Sequence, residues 1–335
     1  MSHKNVKSDA VSSHKASQNY PIYFNHKVIA ILMPLVIIFM LSSLFSYNSF
    51  SQQSKNNMIE NALTTKTQYA SIDGKKIAYR KFGKGTPIIL ANRFRGTLDT
   101  WDPLFLDLLA KENTVIIFDY SGIGYSEGAL PTDIKDVAAE VTKIADYLKI
   151  DKFNVMGWSY GGWVAQYVTF LNPKRVLKSV IIGSNPMGKN EVPFEPAFLE
   201  RALKPSNDFN DFVVLFFEPK SEASVASAQA SIKRIMQRMD VSKVPATQEL
   251  FGRYFASNEA IHLDKDNFRE AYATLKTPVL VLSGDHDISF ALENWYPLMK
   301  KAPSLQLITF PVAGHAPQFQ YPELSTGYIN TFLKN

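Results

Sequence analysis

The chain has 335 residues, 46% hydrophobic and 20% charged, enough for one large or two modest domains with a sizeable core and too apolar for wholesale disorder. Sixteen Gly and eighteen Pro exclude collagen-like or low-complexity character, and the absence of Cys excludes disulfides, Cys-built zinc or iron–sulfur sites, a thiol nucleophile and a lipid anchor on Cys. The formal charge of +5 raises nucleic acid or an anionic membrane as partners, so its location matters.

Most of that charge lies at the start. Residues 1–27 hold four lysines against Asp9, a net of +3 out of the +5, which leaves the remainder nearly neutral and argues against nucleic acid as a partner. This Ser-, Lys- and His-rich tail is expected to be disordered and cytoplasmic. An uncharged run from Val28 to Leu41 follows, continued by Ser42, Ser43, Leu44 and Phe45. Residues 28–45 would span about 27 Å as a helix, close to a hydrocarbon core of about 30 Å. A retained transmembrane anchor is the expectation. A secretory signal segment is its competitor, because the strictly apolar stretch is short and Ser49-Phe50-Ser51 only approximates a cleavage site. Lysines ahead of the segment place the N-terminus in the cytoplasm and the rest of the chain outside the cell membrane; secretion after cleavage is the alternative. Residues 46–66, rich in Ser, Asn and Gln, read as a stalk.

From Thr67 onward strands and helices alternate. Gln68–Ile72 and Lys76–Lys81 flank Asp73-Gly74, a two-residue hairpin turn. Pro87–Ala91 and Thr114–Asp119 are continuous apolar runs, as expected of strands covered on both faces. Asp102–Ala110 and Thr132–Lys149 read as helices, the latter with a stripe of Ile134, Val137, Val141, Ile144, Ala145 and Leu148. Strand Phe153–Gly157, helix Gly161–Leu171 and strand Lys178–Ile182 follow. Residues 185–277 interrupt the pattern and read as a helical cap, with a helix at Ser221–Met239, covering one edge of the sheet. Strand Pro278–Ser283, helix Phe290–Lys301, strand Leu305–Phe310 and helix Pro322–Leu333 resume it. The expected fold class is α/β, a doubly wound, mostly parallel sheet built from residues 67–184 and 278–335.

Gly157-Trp158-Ser159-Tyr160-Gly161 is a G-x-S-x-G pentapeptide placed directly after an apolar strand and directly before a helix, as a nucleophile elbow requires. A serine hydroxyl needs a base, itself oriented by a carboxylate. His3, His14 and His26 lie in the tail and His262 in the insertion. His315 sits in a loop just past the last strand, at the carboxyl end of the sheet. For the carboxylate, Asp285 and Asp287 compete in Ser283-Gly284-Asp285-His286-Asp287; Asp287, farther from the strand end, is favoured, with Asp285 holding the loop.

These segments, together with Phe118-Asp119-Tyr120-Ser121-Gly122-Ile123-Gly124-Tyr125-Ser126, resemble the α/β-hydrolase-fold serine hydrolases over about Gln68–Lys334. The resemblance implies the α/β-hydrolase fold, a Ser159–His315–Asp287 triad and an oxyanion hole from backbone N–H groups. Aligned by the strand end, the donors would be Phe94 and Tyr160. Where the family usually has His-Gly before the first donor, this chain has Asn92-Arg93. Arg93 and Arg95 either hold a carboxylate of the substrate or pair with local acids such as Asp99 and Asp102. Aromatic residues of the insertion, Phe198, Phe212 and Phe216 among them, either line an apolar acyl pocket or pack the cap onto the sheet.

The expected activity is hydrolysis of a small or medium carboxylic ester through an acyl-enzyme, without metal or cofactor. Amide or peptide hydrolysis, acyl transfer or perhydrolysis, and a catalytically silent binding module are the alternatives. The expected partners are a small ester-like molecule and, through the N-terminal segment, the membrane; the sequence does not set the oligomeric state.

Overall fold

A computed structural model describes residues 60–335. The expected tail and membrane or signal segment, and nearly all of the stalk, lie outside the described residues. Among the described residues no helix is long and apolar enough to cross a membrane.

Eight strands form one sheet in the order β1-β2-β4-β3-β5-β6-β7-β8. They are β1 (Gln68–Ile72), β2 (Lys75–Gly83), β3 (Thr86–Ala91), β4 (Asn113–Phe118), β5 (Phe153–Trp158), β6 (Val176–Ile182), β7 (Val279–Gly284) and β8 (Leu305–Phe310). Strands β3 to β8 run parallel; β1 and β2 form an antiparallel hairpin, and β2 pairs antiparallel with β4. At the hairpin turn Asp73 and Gly74 both take positive φ, 49° and 75°, which suits the twist of the flanking strands.

The apolar runs alternate faces. Ile88, Leu90, Val115 and Ile117 point to one side, where they meet Phe105 and Leu109 of α1 (Pro103–Ala110) and Ile329 of the C-terminal helix α10 (Pro322–Lys334). Ile89, Ile116 and Val155 point to the other, against Val137, Val141 and Ile144 of α2 (Ile134–Tyr147) and Val164 and Val168 of α3 (Tyr160–Leu171). Each such aliphatic side chain removed from water contributes about 1.5–3 kcal/mol, so this two-sided burial holds the sheet in place under the site. Asp102 and Asp133 cap α1 and α2, accepting from the N–H groups of Leu104 and Lys135.

Two expectations need correction. The helix expected over Phe290–Lys301 is a 3-10 helix, Leu292–Leu298. Pro297 lies inside it and has no N–H for an α-helical bond, and the buried Asn294 side chain instead ties the segment to Val192. The insertion does not cover an edge of the sheet. It leaves after β6 and returns before β7, which are hydrogen-bonded neighbours within the sheet, and its side chains share a cavity with Ser159 and His315. It comprises α4 (Pro196–Ala202), α5 (Phe209–Phe216), α6 (Glu222–Ile235), α7 (Gln248–Leu263) and α8 (Phe268–Ala271). A short α9 (Pro317–Gln320) lies between β8 and α10.

Candidate active site

Ser159 stands between β5 and α3 with φ 61° and ψ −123°. A non-glycine residue held there stores strain of order 1–3 kcal/mol. The conformation is fixed on both sides: the Ser159 N–H donates to the Ile182 carbonyl at 2.9 Å, and the Ser159 carbonyl accepts from Gly162 at 2.8 Å. Space around the turn explains its glycines. A β-carbon on Gly157 would run into the carbonyl oxygen of Gly161, and one on Gly161 into that of Ala91.

Asp287 and His315, from the loops after β7 and β8, are brought together: Asp287 Oδ2 is 2.8 Å from His315 Nδ1, and both are buried. Asp287 Oδ1 accepts from the N–H groups of Ser289 and Phe290 and from the Ser289 hydroxyl at 2.6 Å. Burial alone would push the Asp287 carboxyl up. The charge of His315 and the hydrogen bonds from His315, Ser289 and Phe290 outweigh it and hold the group below its ordinary value. The imidazole lies between the rings of Phe290 and Phe216, stacked at 5.3 and 6.1 Å. Its backbone carbonyl accepts from Trp158 Nε1 at 2.9 Å, tying the His315 loop to the strand that carries Ser159.

The competing residues fall elsewhere. Asp285 accepts from the Ala313 N–H and meets the exposed His286, whose pKa it raises. His262 is exposed on α7, its ring 6.4 Å from that of Trp163 in a T-shaped arrangement. Ser289, which touches both Asp287 and His315, was missed by sequence reasoning. The one local signal is its spacing, since an aspartate side chain often accepts from backbone N–H groups two and three residues ahead.

The loop after β3 is built on Asn92. Its side chain donates to the Phe118 carbonyl and accepts from Trp101 Nε1, and its carbonyl accepts from the Tyr120 hydroxyl. Asp119 supports the same region by accepting from the N–H groups of Leu98 and Tyr125, and burial lifts its pKa to about 7. Among the described residues neither the Phe94 nor the Tyr160 N–H has a protein acceptor. The expected pairing of Arg93 and Arg95 with Asp99 and Asp102 is not found. Arg80 holds Asp99 and Arg234 grips Asp102, each at 2.6 Å. Arg95 instead donates to the carbonyls of Ala202, Lys204, Pro205 and Pro245 and to Asn207 Oδ1.

Ser159, His315, Arg93 and Phe94 open on a cavity of about 530 Å³ whose lining from the insertion is mostly apolar, with Phe198, Phe209, Phe212, Phe216, Ile232, Ile235, Met236 and Met239, and includes the polar Ser206, Asn207 and Asp208. A second space of about 50 Å³ touches Ser159 on another side, between Phe94, Tyr160, Trp163, Phe194 and Phe290. Phe94 and Phe198 border both. No group of three or more Asp, Glu or His side chains suited to a metal ion occurs among the described residues.

A strained serine at a helix start, a buried carboxylate–imidazole pair and a shared apolar cavity invite comparison with known proteins. The family model described as alpha/beta hydrolase fold matches residues 86–322. The structure of an alpha/beta hydrolase fold protein from Chitinophaga pinensis is similar with a TM-score of 0.74 and 31% identity, covering 82% of this chain and 100% of that one. The chain is 26% identical over 246 residues to the pimeloyl-[acyl-carrier protein] methyl ester esterase of Vibrio parahaemolyticus, covering 71% of this chain and 91% of that protein. It is also 26% identical over 276 residues to the dihydrolipoyllysine-residue acetyltransferase component of the acetoin cleaving system of Pseudomonas putida, covering 80% of this chain and 69% of that protein. The family match spans more than half of the chain, which therefore belongs to the alpha/beta hydrolase fold family and is an enzyme, a hydrolase.

Proposed function

We propose that this hydrolase cleaves a carboxylic ester with an apolar portion through an acyl-enzyme on Ser159. The observation that carries the reading is the buried Asp287–His315 hydrogen bond, with His315 and the strained Ser159 facing one cavity. With Nδ1 held by Asp287, the other imidazole nitrogen is the one left to take the Ser159 proton as the hydroxyl attacks the ester carbonyl. The oxyanion that forms would be met by the free N–H groups of Phe94 and Tyr160, the latter at the start of α3, where the helix dipole also favours negative charge. His315 then returns the proton to the leaving alcohol, the acyl-enzyme forms, and a water activated by His315 releases the acid. The apolar wall supports a substrate with hydrocarbon character.

Turnover of p-nitrophenyl butyrate tests this. Ser159→Ala should lower kcat by several orders of magnitude in a protein with unchanged circular dichroism. Undiminished turnover in the folded variant rules out Ser159 as the nucleophile.

A further inference from the structure

Arg93 is partly buried and has no acidic partner among the described residues. Its guanidinium lies against the rings of Trp158 and Phe216, 5.3 and 4.8 Å from their centroids, and it lines the large cavity with Ser159 and His315. It makes one hydrogen bond, from Nη1 to the Phe94 carbonyl at 2.7 Å. Nε is buried and has no partner. Among the described residues no carboxylate pairs with it: Asp208, which also lines the cavity, caps α5 by accepting from the Asp211 N–H, Arg80 holds Asp99, Arg234 holds Asp102, and Asp119 accepts from two backbone N–H groups. Burial pulls its pKa down to about 9, with Arg95 adding to the effect, so the group still carries its charge at neutral pH.

A guanidinium even partly withdrawn from water is costly unless something compensates its charge. Two aromatic faces do so only in part. Arg95, two residues on, shows what a purely structural arginine looks like here, with five acceptors around its nitrogens. Arg93 keeps Nε and Nη2 in reserve. Those two donors form one edge of the guanidinium, the edge with which Arg234 grips both oxygens of Asp102, and it matches a carboxylate. One guanidinium also matches a single negative charge better than a doubly charged phosphate, since the other arginine of the cavity is already committed to carbonyl groups.

We infer that Arg93 binds a carboxylate of the substrate, so that the ester cleaved at Ser159 carries one carboxylate on an otherwise apolar body. The inference names the substrate class of the proposed esterase site and rests on that reading.

Two pairs of isosteres test it, in which an isopropyl group replaces the carboxylate. On the acyl side these are p-nitrophenyl hemisuccinate and p-nitrophenyl 4-methylpentanoate; on the alcohol side, 3-acetoxypropanoate and 3-methylbutyl acetate. In one pair the charged ester should have the higher kcat/KM, and Arg93→Gln should lower the charged-to-neutral ratio about tenfold or more, the scale of a hydrogen bond to a charged group. Arg93→Lys should restore part of the ratio. Because a ratio does not depend on how much enzyme is folded, a poorly folding variant still gives an answer. A wild-type ratio below one in both pairs, or one that Arg93→Gln leaves unchanged, overturns the inference while turnover of the neutral esters upholds the esterase. If no ester is cleaved, the esterase reading fails and the Arg93 site is read by calorimetry instead. Monomethyl succinate should then bind the Ser159→Ala protein and not the Ser159→Ala/Arg93→Gln protein; equal binding to both, or binding to neither, refutes it.

Discussion

At the scale of single residues, most of the organisation of the candidate site converges on Asp287. One oxygen faces His315, and the other takes three hydrogen bonds from Ser289 and Phe290. Those bonds orient the carboxylate, and the carboxylate fixes which imidazole nitrogen is free. Asp287→Asn should therefore lower kcat by about 10³–10⁴, the loss expected when the carboxylate of a Ser-His-Asp set becomes an amide. Stability carries a second signature. The folded pKa of Asp287 lies below its ordinary value, so its contribution is present above the unfolded pKa of about 3.9 and is lost as pH falls through the folded one. Denaturant midpoints of wild type and Asp287→Asn should differ most at neutral pH and converge under acid conditions; a gap that stays constant from pH 7 to pH 3 would contradict this. Ser159 and His315 were legible because each sits beside a strand end with a short motif. Ser289 was not, because a serine that hydrogen-bonds an aspartate two residues back resembles any serine in a turn.

At the scale of elements, legibility followed local periodicity. β3, β4 and β5 are apolar runs bounded by turns, and α2 shows its buried stripe, so the structure and the sequence agree to within a residue or two. The insertion offers weaker signals. Its short α4 and the shallow amphipathicity of α7 gave no clear periodic stripe, and its position over Ser159 depends on strand order, which no local pattern encodes. The sequence offers for Arg95, which fastens the insertion to the core, only a choice between substrate and acid. Arg95, in the loop after β3, holds the 202–207 segment and Pro245 through carbonyl groups, and its guanidinium lies 4.9 Å from the Phe251 ring of α7. A contact made to backbone leaves no complementary residue type in the sequence. Arg95→Met keeps the apolar stem and removes the donors, leaving buried acceptors unpaired at about 1–3 kcal/mol for each one that water cannot reach. Limited proteolysis with mass spectrometry should show new cleavage near residues 202–207 and 245 in this variant. An unaltered digestion pattern would mean that the insertion is held by its other contacts alone.

At the scale of the whole molecule, the core supplies one wall of the large cavity and the insertion the other, and the two spaces beside Ser159 differ tenfold in volume. At about 30 Å³ for each water-sized group, the larger space has room for something on the order of fifteen to twenty such groups and the smaller for one or two. A symmetrical ester would leave the larger space poorly filled, whereas one with a long and a short side would use both. The long side would run along the apolar wall, where every methylene withdrawn from water adds about 0.8 kcal/mol. Ile235, at the end of α6, is a buried part of that wall and has no hydrogen-bonding role at Ser159, Asp287 or His315, so enlarging it should shorten the space without altering the chemistry. Ile235→Trp is expected to cost about 1–3 kcal/mol of stability through overpacking. It should also lower kcat/KM for p-nitrophenyl decanoate at least tenfold relative to p-nitrophenyl acetate, since even one ill-fitting methylene changes discrimination by roughly 10–200-fold. The acetate is the internal control, because its acyl group is small enough for either space. An equal fall for both esters would show only that the variant folds poorly, which its melting temperature would confirm; an unchanged decanoate-to-acetate ratio in a folded variant would place the long side of the substrate somewhere other than the space between core and insertion.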